Sequence, residues 1–306
     1  VMIKSKITLG RVVEKYFYIL TLIRSSVLYF NVYKNINKIS KLYSLPLFKD
    51  CNLKNSDTLF ILGSSNGINS ITKDQWAHIR EHDSFALNTW AIHEHIPDYY
   101  MIERGSDVMF DTDKMITDLI IRKKEVYNKT KIIIKDSEHA VFKGVSDILA
   151  ADIEVNLLNN FLIPASNVNC LLKFKKIWSF VRRLFPSSLI LKTHGSIFSI
   201  LDIAKSIGYK KVVLCGVDLL NQGYFWEDAK YSDINKDLLL YRQYKLATDC
   251  NYSNKTHRTN DSNVHTLTII DAIKTYYLDE KTDMDIYVLY KETALYPLRK
   301  KYEFKK

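Results

Sequence analysis

Two short stretches of small polar residues stand where an anionic group could be held. The apolar run Leu59-Phe60-Ile61-Leu62 ends in Gly63-Ser64-Ser65-Asn66-Gly67, and a helix is expected to begin near Thr72. A loop of this kind at the carboxyl end of a buried strand presents backbone N–H groups and short side chains, a cradle for a phosphate or a nucleotide. It is neither a Walker A loop nor G-x-G-x-x-G, which points to a less common nucleotide or nucleotide-sugar site. The second stretch, Thr193-His194-Gly195-Ser196, opens a helix predicted for 196–207. A hydroxyl, a glycine and a helix N-terminus again suit a phosphate. Lys211–Cys215 then reads as a strand running into Gly216-Val217-Asp218. An Asp just past a buried strand stands where site residues collect in α/β folds, and equally where a turn needs an Asp.

The elements that must position these groups follow from hydrophobic patterning. From residue 57 onward, strand-like and helix-like blocks alternate. Strands are expected at Thr58–Leu62, Ser84–Leu87, Tyr99–Ile102, Lys131–Ile134, Lys211–Cys215 and Ile286–Tyr290. Helices are expected at Asp111–Arg122, Ser196–Ile207, Asp233–Leu246 and Val264–Tyr277. The alternation predicts an α/β fold, a mostly parallel sheet with helices on both faces. Gly208 is a natural C-cap for the 196–207 helix. Residues 137–190, with an amphipathic piece at Trp178–Phe185, read as a lid or small helical insert.

A chain of 306 residues, 47% hydrophobic and 25% charged, can bury a full core. Its nine glycines and five prolines argue against a long flexible linker. Cys51, Cys170, Cys215 and Cys250 form no C-x-x-C pair, so neither a zinc knuckle nor a disulfide framework is indicated, and a reducing, cytoplasmic setting is expected. The formal net charge is +10, with basic residues crowding both ends, from Lys4 to Lys41 and from Arg299 to Lys306. Arg182 and Arg183 sit beside Trp178, Phe180 and Phe185. Mixed with aromatics, these charges suit the anionic inner face of the cytoplasmic membrane, or a plainly solvated surface. No nucleic-acid-binding signature accompanies them. The domain organisation expected is a basic, amphipathic segment over 1–50 that meets a membrane or a partner subunit, then a nucleotide-sugar-binding domain over 51–306. The apolar stretch 12–33 is interrupted by Glu14, Lys15 and Arg24, so it reads as an interfacial or packing helix rather than a spanning one.

Three blocks, in this order, resemble the bacterial sialyltransferases of glycosyltransferase family forty-two. They are Ile61–Gly67 followed by Phe85-Ala86-Leu87-Asn88; Thr193–Ser196 with Gly208-Tyr209-Lys210-Lys211 and Gly216-Val217-Asp218; and the polar stretch His257 to His265 before the helix Thr266–Tyr277. The resemblance spans roughly residues 57–290. It implies a single Rossmann-like domain with a small lid, a variant of the GT-A type, and a CMP-activated nonulosonic acid as donor. By that resemblance, Asn88 contacts the cytidine monophosphate, and Thr193, His194 and Gly195 form the loop beside it. Asp218 closes the Gly-x-Asp turn, with Tyr224 or Trp226 following it to hold the phosphate. Ser64 stands where the family has Asn, His194 where it has Ser, Glu103 where Asn is common, and Leu220 at a Tyr position. The departures suggest a different nonulosonic acid or a sister family, such as transferases of Kdo, pseudaminic or legionaminic acid.

Transfer from a CMP-sugar needs a base for the acceptor hydroxyl and stabilisation of the departing phosphate. A neutral His suits the first task, and hydroxyls with helix-start N–H groups suit the second. The resemblance puts the base in the loop before the last helix, near Asp261. His265, at the start of that helix, is the favoured candidate, and His257 and Asp261 are the others. Glu103 is a further carboxylate, as base or as a partner orienting a His. The Asp-x-Asp at Asp283-Met284-Asp285 reads as solvated loop, and no metal and no resident cofactor are expected. The expected activity is therefore inverting, metal-independent transfer to a surface-glycan acceptor such as a lipooligosaccharide or capsule, by a peripheral enzyme, monomeric or homo-oligomeric. Two other readings are a pyrophosphokinase-type enzyme on the same fold and a non-catalytic membrane scaffold of glycan assembly.

Overall fold

The computed structural model describes residues 54–103, 112–135, 145–240 and 267–304. Excepted are 159, 164, 166, 185–189, 194, 221, 222, 235, 237, 279–282 and 299. Isolated positions in 23–48, and residues 243 and 262, are also described. Nine strands occur among the described residues. They are β1 (Thr58–Leu62), β2 (Asp83–Leu87), β3 (Tyr99–Glu103), β4 (Lys131–Lys135), β5 (Val155–Leu158), β6 (Asn160–Leu162), β7 (Ile190–Lys192), β8 (Lys211–Cys215) and β9 (Asp285–Val288). Seven of them form one sheet in the order β5-β4-β3-β2-β1-β8-β9, and β6 pairs with β7 separately. Every pairing is parallel.

The strands read as near-continuous apolar runs because both faces of the sheet are covered. Along β1, Leu59 and Ile61 join one apolar cluster while Phe60 and Leu62 join the other. The same alternation continues through Phe85 and Ala86, then Met101 and Tyr100. On the first face lie the helices Val168–Leu184, Ser196–Ile207 and Ile269–Ile273. On the second lie Lys73–Arg80, Thr112–Arg122 and Val145–Ala150. The α/β architecture expected from the sequence is thus the one observed.

Local signals set the helix ends. Thr72 accepts from the Gln75 amide while Gln75 accepts from the Thr72 amide, a reciprocal cap that starts Lys73–Arg80. The helix Ser196–Ile207 stops at Gly208, whose φ of +89° is left-handed. The last helix begins at Ile269, capped by the Thr268 hydroxyl, later than the expected Val264. It widens into a π-turn at Lys274–Leu278.

Both edges of the sheet are covered by chain ends. Phe48 donates its amide to the Leu157 carbonyl at 2.8 Å, and the Leu157 amide reaches the Pro46 carbonyl at 3.0 Å. At the other edge, the Tyr302 amide donates to Val288 at 2.8 Å. These contacts occupy hydrogen-bonding groups that would otherwise template a foreign strand. Ile23 and Val27 are helical and more than half exposed. No helix among the described residues is long and apolar enough to cross a membrane.

The stretch 137–190, expected to be a lid or small insert, supplies β5 to the main sheet. The piece expected at Trp178–Phe185 belongs to a longer helix, in which Leu171, Phe174 and Trp178 face the core. His93 and His95 are buried beside Trp76 and Trp90. Burial holds His93 down to about 3 and His95 to about 4, so both are neutral packing groups.

Candidate functional site

Strand order reverses at β1. Strands β2 to β5 extend to one side of it, and β8 and β9 to the other. A parallel sheet of this kind opens a crevice outside the carboxyl ends of the strands where the order reverses. A cavity of about 280 Å³ occupies that place. Its wall includes Gly63, Ser64, Ser65, Asn88, Glu103, Gly195, Ser196, Asp218 and Tyr224. Residues widely separated in sequence therefore meet around one space. Asn66 lies on an adjoining cavity of about 260 Å³, where its side chain accepts from Asn69. Asp218 lines both cavities, and Tyr290 and Glu292 close the second. His194, His257, Asp261 and His265 lie outside the described residues, and the structure places none of them.

The β1–β8 ladder continues past the strand ends. Gly63 donates to the Cys215 carbonyl at 2.7 Å, and Ser65 to the Gly216 carbonyl at 3.0 Å. A Cβ on Gly63 would lie 2.3 Å from the Gly216 oxygen, so only glycine lets the two loops approach. Gly216 itself has a φ of +63°. From the far side, the Phe225 amide donates to Ser64 and the Asn66 amide to Gly223, each at 3.0 Å. Tyr224 stacks on Trp226 at 4.9 Å between ring centres. Asn88 has a left-handed φ of +57°, and its carbonyl accepts from the Tyr100 hydroxyl. Asn is among the few non-glycine residues that adopt this region readily.

Among the described residues, three hydroxyls at this end of the sheet have no partner, those of Ser64, Thr193 and Tyr290. The Ser64 Oγ and the Thr193 Oγ1 are both buried and make no hydrogen bond. Buried polar atoms are nearly always satisfied, so orphans beside a cavity fit a site that a polar ligand completes. Thr193 follows β7 and leads into Gly195, the N-cap of Ser196–Ile207.

The floor of the cavity carries a charged network. Glu103, at the end of β3, faces Lys135, at the end of β4, with 3.0 Å between Nζ and Oε1. Lys135 also donates to the Ser196 Oγ at 3.1 Å, and Ser196 donates to Glu103 Oε2. The lysine side chain is 1% exposed and the glutamate 31%. Burial alone would raise the Glu103 pKa. The Lys135 charge, the Ser196 hydrogen bond and Lys192 outweigh it, and the group titrates below its usual range. Burial lowers Lys135 in turn, against the pull of Glu103. Sequence reasoning missed Lys135 and Lys192. Each ends an apolar strand at the carboxyl edge, and that position was the available signal.

Asp218 has the opposite character. Burial pushes it up to about 6, against hydrogen bonds from the Leu220 amide and the Ser65 side chain. Its Oδ1 accepts from Leu220 at 3.2 Å, so it both shapes the turn and presents a carboxyl group to the cavities. Asp283 and Asp285 are exposed at the amino end of β9, the opposite edge of the sheet from these cavities. Among the described residues, no three His, Cys, Asp or Glu side chains converge as metal ligands.

No protein-family model and no curated protein matches this chain. Several solved structures are similar to it. One is the sialyltransferase CstII from Campylobacter jejuni in complex with the substrate analogue CMP-3FNeuAc. That chain is 14% identical, with 80% of this chain and 84% of that one covered and a TM-score of 0.40. The same enzyme with cytidine-5'-monophosphate is 15% identical, with the same coverage and a TM-score of 0.41. The monofunctional alpha-2,3-sialyltransferase Cst-I from the same organism is 16% identical, with 80% of each chain covered and a TM-score of 0.40.

Proposed function

We propose that the protein is an inverting, metal-independent glycosyltransferase that moves a nonulosonic acid from a CMP-sugar to a surface-glycan acceptor. One observation carries the reading. The blocks Gly63–Ser65, Asn88, Gly195-Ser196 and Asp218, which in sequence resemble a CMP-nonulosonate site, line one cavity at the reversal of strand order. The orphaned Ser64 and Thr193 hydroxyls and the start of the 196–207 helix are donors suited to a phosphate oxygen. The abutting second cavity gives room for a ligand with two parts. A single-phosphate leaving group can be stabilised by such donors, so the chemistry does not oblige a metal.

The charge distribution supports a peripheral place at the inner face of the cytoplasmic membrane, near a lipid-linked acceptor. The 1–50 segment is the proposed contact with lipid or a partner subunit.

The direct test is ligand-induced stabilisation. CMP is expected to raise Tm by several degrees at a hundredfold excess over its Kd, because a ligand bound only by the folded state adds about 2.7 kcal/mol under those conditions. UDP and GDP are expected to have little effect. Stabilisation by purine nucleotides alone would overturn the reading in favour of a kinase-type enzyme. The base is tested separately. His265→Ala is expected to lower transfer at least 100-fold with the CMP shift intact, within the usual weight of general base catalysis. Retained turnover would move the role to His257 or Asp261.

A further inference from the structure

We infer that Glu103 is a catalytic carboxylate that stays ionised beside the reacting sugar, and that buried Lys135 is the positioning residue that holds it there. The inference rests on the transferase reading above and goes beyond it, since that reading assigns Glu103 no part in the transfer step.

The geometry of Lys135 motivates it. Removing an ammonium from water costs several kcal/mol, and an aliphatic side chain would fill the same space at lower cost. Lys135 nonetheless sits in the last position of β4, fully enclosed, with Nζ directed at Glu103 Oε1 and Ser196 Oγ. The Ser196 hydroxyl donates a hydrogen bond to Glu103 Oε2. Both carboxylate oxygens are thus held from behind, while the group keeps a face on the cavity. The network encloses Lys135 and leaves Glu103, with the Ser196 that holds it, on the cavity wall, and its product is an oriented anion there.

An anion so strongly held is a poor proton acceptor, which separates Glu103 from the base role considered for it in the sequence. The charged and titratable groups around it are Lys135 on β4 and Lys192 on β7, with Ser196 donating from the helix start. Asp218 stands on another part of the same cavity wall. The nearby cations hold the Glu103 pKa below its ordinary value, against the effect of burial.

The step that needs an anion is bond cleavage. The bond between the anomeric carbon and the phosphate oxygen breaks, and its electron pair leaves with CMP. Positive charge develops on the anomeric carbon and the ring oxygen. A lone pair of the acceptor hydroxyl forms the new C–O bond, and its proton passes to the base. Glu103 gains and loses neither proton nor bond. It lowers the barrier by facing the developing cation in a site partly shielded from water, where a fixed charge acts most strongly.

The experiment uses the full chain and whichever of CMP-N-acetylneuraminic acid, CMP-Kdo or CMP-pseudaminic acid the wild type turns over, with water or a glycan as acceptor. Glu103→Gln is expected to lower kcat 100-fold or more, with KM and the CMP-induced Tm shift nearly unchanged. Lys135→Met leaves Glu103 without its strongest cation. Burial then raises the Glu103 pKa, and the acid limb of the kcat profile is expected to move up by at least one pH unit. Lys135→Arg, which keeps the charge, is expected to leave that limb near its wild-type place and serves where the Met variant folds poorly. In the double variant Lys135→Met/Glu103→Gln the displaced limb is expected to vanish. Wild-type kcat in Glu103→Gln, or a Lys135→Met loss equal at every pH, would overturn the inference. A wild type that neither binds CMP nor consumes any of the three donors would instead overturn the transferase reading, and this inference with it.

Discussion

A single methyl group at position 63 is expected to destabilise the protein by roughly 3 kcal/mol and to abolish the CMP-induced Tm shift. The added Cβ would stand 2.3 Å from the Gly216 carbonyl oxygen, and 2.8 Å from both the Gly216 carbonyl carbon and a Val217 methyl. The first two contacts are backbone, so no side-chain rotation relieves them. Nor can the loops part freely, because Gly63 and Ser65 are both hydrogen-bonded across the gap. Overpacking a rigid site typically costs about 1–3 kcal/mol, and contact with backbone belongs at the top of that range. The same displacement would separate the ends of β1 and β8, the two strands between which the cavity opens. Gly67→Ala is the control. Its nearest contact would be the Tyr290 ring at 3.5 Å, ordinary van der Waals distance, and its stability is expected to stay within about 0.5 kcal/mol of wild type. Urea unfolding and CMP titration of both variants decide the matter. If Gly63→Ala keeps a wild-type midpoint and a wild-type CMP shift, the close approach of the two loops is not what builds the site.

That close approach was legible in the sequence only in part. The bounds of β1, β8 and the 196–207 helix follow directly from apolar runs punctuated by Gly63, Gly208 and Gly216. Each glycine meets a backbone demand that other residues fulfil poorly, so sequence and structure agree to the residue there. Between 137 and 190 the signals are weak. Strand β5 is four residues interrupted by Asn156, and β6 and β7 are three residues each, too short for a period to show. The core face of Val168–Leu184 is carried by Leu171, Phe174 and Trp178, a helical spacing diluted by the lysines between them.

The candidate site divides in the same way. Loop residues announce themselves through composition, and a local block is enough to find Gly63–Ser65 or Gly195-Ser196. The Glu103–Lys135–Ser196 network has no local mark. Lys135 and Ser196 are 61 residues apart, and Glu103 and Ser196 are 93 apart. Alone, Lys135 is an ordinary cation at a strand end. Only the parallel register that sets Glu103 beside Lys135 reveals a buried ion pair.

Asp83→Ala is expected to be at least as damaging to stability as the glycine substitution, and for a complementary reason. Asp83, at the start of β2, is 1% exposed. Its carboxylate accepts from the Asn55 amide at 2.9 Å, the Asn55 side chain at 3.1 Å, the Ser56 amide at 3.1 Å and the Tyr209 hydroxyl at 2.8 Å. Alanine would strand all four donors. A hydrogen bond to a charged group contributes about 1.5–3 kcal/mol, and water entering the vacated space recovers part of the loss, so a net cost of roughly 3–4 kcal/mol is expected. Asn55 and Ser56 lead into β1, and Tyr209 leads into β8, so this one carboxylate fixes β1, β2 and β8 at their amino ends. The cavity lies at the other ends of the same strands. Ser64 on its wall, and Thr193 two residues before Gly195, have buried hydroxyls without partners among the described residues, whereas the Asp83 oxygens are shared among four donors. At β1, β2 and β8 the buried carboxylate is thus satisfied at the anchored end, and the Ser64 hydroxyl is left open at the end where a ligand would bind. Asp83→Ala is therefore expected to lower the urea midpoint while the folded fraction keeps its CMP affinity, and Asp83→Asn, which retains an acceptor, is expected to fall between. Loss of CMP affinity without loss of stability in Asp83→Ala would contradict this division between the anchored end and the open end.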